Sequence, residues 1–479
     1  MLWLSANLPW LPLEVFVRGG RDGAPLAISS AAGHGPRVVA CNQAARRLGV
    51  RTGMAVGAAQ ALAADLRVQP RDSIRERRAL ERLAAWAGQF TPVISLEPPA
   101  TLLMEVEGSL NLFGGAGRLQ REVMDGLAAL GYQVQLALAP TPLAAVWLAR
   151  AGEGVGVQTQ GALVKALVRL PLAVLDLEAP QRARLQGMGL ENLGDCLRLP
   201  RDGLARRLGP ALVEALDRAL GRQPDPRTRF VPPARFDSRL ILPAEVLEVD
   251  ALLFALRRLI LELTGLLQAR LEGVQSLQLR LFHQAEQATD VALELTAPSR
   301  DARHLLDLLR VRLERVALPL PVREIGLSAP TLTALSGETR DWVGAVADGG
   351  NGNVNALIEQ LQARLGEKAV HGVCQIAEHR PEYAWRACEP GTVGATLPPV
   401  RRPLWLLPEP VALQVRAGHP WLAGPLTLES ERERIESGWW DGGDMARDYF
   451  IASDPQGARF WIYRELRGAR GWFLQGVFG

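Results

Sequence analysis

The alternation of apolar and polar positions divides the chain before any chemistry is considered. The opening Leu2-Trp3-Leu4 is an apolar run, followed by the small residues Ser5-Ala6-Asn7 and by Pro9 and Pro12. It predicts a buried strand entering a turn, since proline excludes an ordinary helix or central strand there. A second strand is expected at 25–30. Ala44, Ala45, Leu48 and Val50 recur at helical spacing, Gly49 and Gly53 stop the helix, and 55–66 resumes it. Residues 71–90 read as an amphipathic helix, with Ile74, Leu80, Leu83, Ala84 and Trp86 on one side and arginines on the other. Strands at 102–108 and 133–139 flank a helix at 117–130. Strand, helix, strand, strand, helix, strand is the split pattern of ferredoxin-like sheets, with a small module inserted after the first strand.

Residues 160–225 are nearly all helical in pattern. Gly187 and Gly189 separate two of these helices, either as a simple turn or as a hairpin that presents backbone N–H groups to a DNA phosphate. A Pro- and Arg-rich stretch at 225–238 reads as a linker. Beyond it, a helix at 251–272, strands at 276–282 and 291–297, a helix at 300–318 and a strand at 322–329 form a second α+β module. Seven of the twelve tryptophans fall in the last hundred residues among prolines and glycines, which predicts a small β-rich domain with an aromatic core and a protein partner.

The 479 residues, 48% hydrophobic and 22% charged, suit several globular domains, and no apolar window approaches a membrane span. The N-terminus lacks a cleavage signature, so a cytoplasmic protein is expected. Net charge is only +3, but ten arginines between Arg37 and Arg82 face Asp65, Asp72, Glu76 and Glu81. Ten more between Arg182 and Arg229 face six acids, local excesses suited to phosphate or to solvent. Cys41, Cys196, Cys374 and Cys388 form no CxxC pair, as in a reducing compartment without a disulfide framework. His371, Cys374, His379 and Cys388 lack the regular spacing of zinc ligands and read as ordinary residues.

Three segments resemble the Y-family translesion DNA polymerases. The first is 2–14, against that family's strand carrying two aspartates; the second is "CNQAARRLGVRTGM" at 41–54; the third is "EPPATLLMEVEGSLNLFGG" at 97–115. The resemblance implies a multidomain α+β architecture: a ferredoxin-like palm at 1–20 and 76–160, fingers at 21–75, and a helical thumb with a helix-hairpin-helix at 161–225. A linker at 226–238, a little finger at 239–330 and a second linker at 331–355 follow, with a partner-interaction domain at 356–479. A polymerase of this family holds two divalent metals on carboxylates. Here those positions fall on Ser5, Asn7, Ala100 and Thr101. At the triphosphate positions the fingers tyrosine is Gln43 and a lysine is Pro142, while an arginine survives as Arg46.

Segments of the C-terminal third, among them 357–373, 378–385, 402–410 and 439–450, are similar to the tail of an inactive branch of the family, carried on a bacterial damage-inducible mutagenesis cassette. That implies a non-catalytic adaptor of the SOS response without cofactor or metal. Its implied partners are DNA, the β sliding clamp, a RecA-like protein and an error-prone C-family polymerase. Gly187, Gly189, Arg46 and Arg51 are the implied DNA contacts. Glu338 and Trp342 stand at the ends of the clamp-binding peptide position, whose interior residues Thr339 and Asp341 depart from the usual leucines. The alternatives are a polymerase using Glu105 and Glu107, with Glu97, as its metal ligands, and a protein that only occupies lesions.

Overall fold

Strand β1 (Trp3–Asn7) alternates its side chains between two cores: Leu4 and Ala6 enter one, Trp3 the other. The computed structural model describes residues 1–18, 23–32, 35–152, 154, 156–177, 179–284, 287–335, 349–390, 392, 401–403, 405–429, 431–468 and 470–478. Two compact units divide the chain, Met1–Arg364 and Leu365–Gly479.

In the first unit β1 is a central strand, and the next residues form a short helix, α1 (Leu11–Glu14), with a proline in its first turn. This corrects the expectation that Pro9 and Pro12 exclude both elements. Pro9 lies beyond the strand, and Pro12 sits where a helix needs no N–H donor. Strands β2 (Leu26–Ala32) and β3 (Gly35–Cys41), helices α2 (Gln43–Arg47) and α3 (Val56–Leu62), and strand β4 (Arg67–Pro70) follow, with sheet order β3-β2-β4. Helix α4 (Ser73–Ala87), strands β5 (Ile94–Glu97) and β6 (Thr101–Glu105), helix α5 (Ala116–Ala129) and strand β7 (Gln135–Ala139) complete the palm. Its sheet runs β5-β6-β1-β7 with every neighbour antiparallel, the ferredoxin-like order. Ile74, expected on the buried side of α4, is 65% exposed. Glu76 takes the inward position of that first turn, paired with Arg71.

Helices α6 (Pro142–Ala151), α7 (Gln160–Leu167), α8 (Ala179–Gly187), α9 (Leu193–Arg198), α10 (Arg201–Leu208) and α11 (Pro210–Ala219) share one core with Trp3, Leu103, Ala137 and Ala139 of the palm sheet. The chain then returns along the edge strand β5, where Phe230 N donates to Ile94 O at 2.7 Å. Strand β8 (Phe236–Val246), helix α12 (Val249–Arg270), strands β9 (Glu272–Phe282) and β10 (Ala288–Ser299), helix α13 (Ala302–Leu313) and strand β11 (Val322–Ala329) form the little finger. Its sheet order is β10-β9-β11-β8, and a two-residue β12 (Thr333–Ala334) joins β9. Phe236–Ser238, expected in the linker, already belong to β8.

The little finger is anchored to the palm through one buried carboxylate. Glu262 of α12 accepts from Arg18 at 3.0 Å and from Ser238 at 3.0 Å, and pairs with Arg82 of α4 at 2.9 Å. Beside it the Trp86 indole lies between Gly126 of α5 and Gly265 of α12, and a methyl group at either glycine would overlap the ring. Helix α14 (Gly349–Leu365) is tied to the little finger by Glu359, which accepts from Thr296 N at 2.8 Å and meets His304 Nε2 at 2.6 Å. The observed division at 364/365 therefore lies later than the expected domain start at 356.

In the second unit, β13 (Gly372–Gln375) and β14 (Trp385–Cys388) form an antiparallel pair bridged by a Cys374–Cys388 disulfide. The expectation of four unpaired cysteines is corrected here. The two residues are 14 apart in sequence, and only the strand pairing brings their Cα atoms to 6.0 Å. Strands β15 (Trp405–Arg416), β16 (His419–Trp421), β17 (Thr427–Leu428), β18 (Glu433–Ser437), β19 (Met445–Ser453), β20 (Arg459–Glu465) and β21 (Trp472–Val477) form one sheet, ordered β16-β15-β21-β20-β19-β17 with β18 also on β19. Its core stacks Tyr449 on Trp461 with centroids 4.3 Å apart. The aromatic-core expectation holds for Trp461, which is buried, and for Trp472, which packs against the core, whereas Trp385, Trp405, Trp439 and Trp440 are exposed.

Two measurements check this account. Replacing Glu262 by alanine leaves buried Arg18 without its hydrogen-bonded carboxylate, so urea unfolding of the first unit should show a loss of about 3–5 kcal/mol. The second concerns the Glu359–His304 tie. The Glu359 bond raises the His304 imidazole against burial; burial also acts to raise the Glu359 carboxyl, but bonds from His304 and Thr296 outweigh it and hold that group low. The His304 contribution is complete below its ordinary value of 6.5 and is lost as pH rises through the raised one. The Glu359 contribution is complete above its ordinary 4.5 and is lost as pH falls through the lowered one. Protection of the α14 amides, taken relative to the intrinsic exchange rate at each pH, should therefore be greatest between pH 4.5 and 6.5, and a His304→Ala chain should lose the fall in protection above that window.

Candidate functional site

The C-terminal end of β1 meets the N-terminal ends of β6 and β7, and the register sets Asn7 opposite both Thr101 and Gln135. These three neutral side chains form one hydrogen-bonded row. Thr101 Oγ1 donates to Asn7 Oδ1 at 3.1 Å, and Asn7 Nδ2 donates to Gln135 Oε1 at 2.9 Å. Ser5 lies two residues back on the same face, fully buried, with a hydroxyl that finds no partner. Ala100 contributes its carbonyl, which accepts from Leu8 N at 2.8 Å. The structure thus brings Ser5, Asn7, Ala100 and Thr101 together.

Two divalent cations need several hard anionic oxygens. This set offers one amide oxygen, already engaged, and two hydroxyls beneath the surface, so it does not fit the metals of the polymerase family. Among the described residues no group of three or more His, Cys, Asp or Glu is arranged to hold a metal. The nearest carboxylates are themselves occupied. Glu97, in register with Thr101, binds Arg227, and Arg227 also binds Asp225 at 2.6 Å, which accepts from Leu143 N at 3.1 Å. Sequence reasoning missed Arg227; its only signal was a place in an arginine-rich linker.

Glu105 and Glu107 do not reach this end of the sheet. Glu105 stands opposite Trp3, four residues along β6 from Thr101, or about 13 Å at strand rise. Its carboxylate accepts from Leu2 N and Glu107 N, both at 3.2 Å, while Glu107 pairs with the terminal ammonium at 2.6 Å.

The expected DNA contacts also have work within the chain. The Arg46 guanidinium stacks over the Trp10 ring at 3.9 Å, and Arg51 donates to the carbonyls of Arg46 at 2.7 Å and Val50 at 3.0 Å, closing the end of α2. Gln43 opens α2 beside them, exposed, and Pro142 opens α6, buried. At the thumb hairpin Gly189 has φ +71°, the left-handed turn that favours glycine. Yet its amides face inward: Met188, Gly189 and Leu190 donate to carbonyls of α8, and Glu191 and Asn192 both donate to Asp195. Those bonds hold the Asp195 carboxyl below its usual range. The hairpin is present, but its N–H groups are not free for a phosphate. Glu338 and Trp342 lie outside the described residues.

The little finger carries a surface that residue spacing alone did not single out. Helices α12 and α13 cover one face of its sheet, and among the described residues of the first unit no element covers the other, here called the bare face. Across it Arg239, Gly326, Arg280 and Asp290 stand in register, with Arg239 stacked on Phe282 at 4.8 Å. Gly326 has no side chain, so a shallow depression opens between the two arginines.

The impB/mucB/samB family model matches residues 20–150. Protein ImuB of Caulobacter vibrioides, from strains NA1000 and ATCC 19089, is 28% identical over 465 residues, covering 90% of this chain and all of the relative. The chain is similar to ImuB along nearly its whole length. Among solved structures, the insertion ternary complex of Dbh DNA polymerase is 19% identical with a TM-score of 0.40, and DinB from Sulfolobus solfataricus 20% identical with a TM-score of 0.40. Each covers 70% of this chain and 100% of its own. The ImuB match extends past the little finger into the Trp-rich second unit.

A manganese titration followed by electron paramagnetic resonance checks the site. The free-ion signal should match buffer at any protein-to-metal ratio, and an Asn7→Asp chain should gain at most weak binding, because one carboxylate beside Thr101 and Gln135 remains far short of a metal's ligand set.

Proposed function

We propose that this chain is a non-catalytic adaptor of translesion synthesis and SOS mutagenesis in the bacterial cytoplasm. It holds DNA and connects it to the β sliding clamp, to the RecA-like protein ImuA and to an error-prone C-family polymerase that performs the synthesis. Similarity to ImuB over 90% of the chain and the impB/mucB/samB match support a role related to translesion synthesis. The observation that carries the non-catalytic part is the neutral row Thr101–Asn7–Gln135, where a polymerase would hold metal-binding carboxylates. Glu97, the acid in register with Thr101, is held by Arg227, and Glu105 stands at the other end of β6, which counts against the reading as an active polymerase.

DNA binding in this proposal is weak and independent of sequence. Arg239 and Arg280 on the bare face, with the arginines of the fingers, would contact phosphate, while Asp237 and Asp290 on the same face limit the affinity. Arg46 and Arg51 stay within this proposal as members of the basic fingers, and the turn at Gly187 and Gly189 as a steric neighbour of the duplex. The protein partners would use the second unit. Trp439 is 78% and Trp440 58% exposed, and large exposed aromatics are the side chains that anchor protein interfaces.

Primer extension on undamaged and lesion-bearing templates, with magnesium and then manganese, tests the proposal. The expected result is no incorporation by a preparation that still binds primer-template. Its affinity should fall as salt rises, and the logarithmic salt slope should lose about one unit for each of Arg239→Ala and Arg280→Ala. Incorporation would overturn the adaptor reading, and salt-insensitive binding would overturn the phosphate contacts.

A further inference from the structure

Helix α4 and strand β8 face one another across a cleft of roughly 910 Å³ in the first unit. On one wall Arg75, Arg78, Arg82 and Ala85 follow the helix for about 15 Å. On the other, Phe236, Asp237, Arg239, Leu240 and Ile241 come from both pleat faces of β8, so the strand presents its edge to the cleft. β8 is the last strand of its sheet, paired only with β11. Among the described residues, no backbone group of Phe236–Ile241 bonds outside that pairing. The remainder of the strand is closed to pairing, because the register shifts between Val322 and Glu324 and Pro243 lies in the bulged stretch. An open edge of six residues, Phe236–Ile241, therefore runs beside a helix of matching length.

The charge of the cleft selects among ligands. Six arginines line it against four carboxylates, and Glu262 is already held by Arg18 and Arg82. Arg78 on the helix wall and Arg235 at the strand entrance are exposed and have no ion pair among the described residues. A nucleic-acid strand has no alternating N–H and C=O groups to satisfy a strand edge, and its continuous phosphates would meet Glu81, Asp237 and Glu324. A peptide satisfies the edge with its backbone and places acids only where arginines stand.

We propose that the α4–β8 cleft binds an extended acidic peptide segment of a protein partner, which adds as a strand to Phe236–Ile241 with its carboxylates toward Arg78 and Arg235. The site borders the bare sheet face, with which it shares Asp237 and Arg239, but Arg78 and Arg235 lie outside that face; it is separate from the tip of β1, and it does not depend on the absence of catalysis.

The test uses the full chain and a fluorescein-labelled capped hexapeptide of alternating glutamate and valine, followed by anisotropy and by amide exchange of β8. Three comparators are the same peptide with a central proline, its lysine–valine counterpart, and a six-residue oligothymidylate. The expected result is saturable binding of the acidic peptide with slowed exchange over Asp237–Ile241. Binding should weaken at least fivefold for the proline peptide and for Arg78→Glu or Arg235→Glu, and less for the milder Arg78→Gln, which guards against a folding defect. The proposal is overturned if the acidic peptide does not saturate, if proline or both charge reversals leave its affinity unchanged, or if the oligothymidylate displaces it. Primer-template binding in the same preparation keeps this outcome separate from that of the DNA-binding reading.

Discussion

One carboxylate organises the first unit. Glu262 is buried and takes bonds from Arg18, Arg82 and Ser238, which belong to the chain after α1, to α4 and to β8. A buried charge with so many partners tolerates little displacement, since each lost bond leaves a polar group without solvent. The Trp86 indole beside it requires glycine on both flanking helices. Together they set the little finger against the outer helix of the palm, and the remaining surfaces follow. The helical side of the little finger is covered, the sheet face stays bare, and the edge of β8 lies along α4.

The palm sheet keeps its order without the charges for which a polymerase uses it. Carboxylates at 7 and 101 would stand directly opposite one another on paired strands, a repulsion that bound cations normally relieve. Asn7, Thr101 and Gln135 remove the repulsion and replace it with a chain of hydrogen bonds across three strands. A sheet end that would need metal to be comfortable is thereby stable alone. The same logic extends to Glu97 and Asp225, which Arg227 neutralises from the returning linker.

Much of this was legible in the residues. The palm order followed from the alternation of strand and helix patterns, and the neutral residues at 5, 7, 100 and 101 were marked by two short motifs. What escaped reading depended on contacts between segments distant in sequence. β3 and β4 are short strands within stretches whose helical spacing dominates, so tertiary pairing decides them. Ile74 is nine residues from Leu83, about two and a half turns, so α4 carries it on the solvent side while Glu76 takes the inward place with Arg71; its hydrophobicity, not its spacing, had assigned it to the core. The disulfide appears only once β13 and β14 are known to pair, and the fate of the hairpin amides only once Asp195 is seen to accept two of them.

The thumb hairpin shows why a motif's shape is weaker support than its free bonding groups. Gly189 supplies the left-handed turn that a phosphate-binding hairpin requires, and a sequence reading has no means of going further. A capping box at α9, with Asn192 and Asp195 bonding reciprocally, then takes the amides that would have faced DNA. A carboxylate at the mouth of a hairpin also repels phosphate, so charge and hydrogen bonding act in the same direction. On the β8 edge the relation is reversed: no sequence motif marks it, yet among the described residues its outer backbone groups make no bond and Arg78 and Arg235 beside it have no ion pair. Free donors and acceptors, more than inherited motif geometry, distinguish the surfaces of this chain that have bonding capacity for a partner.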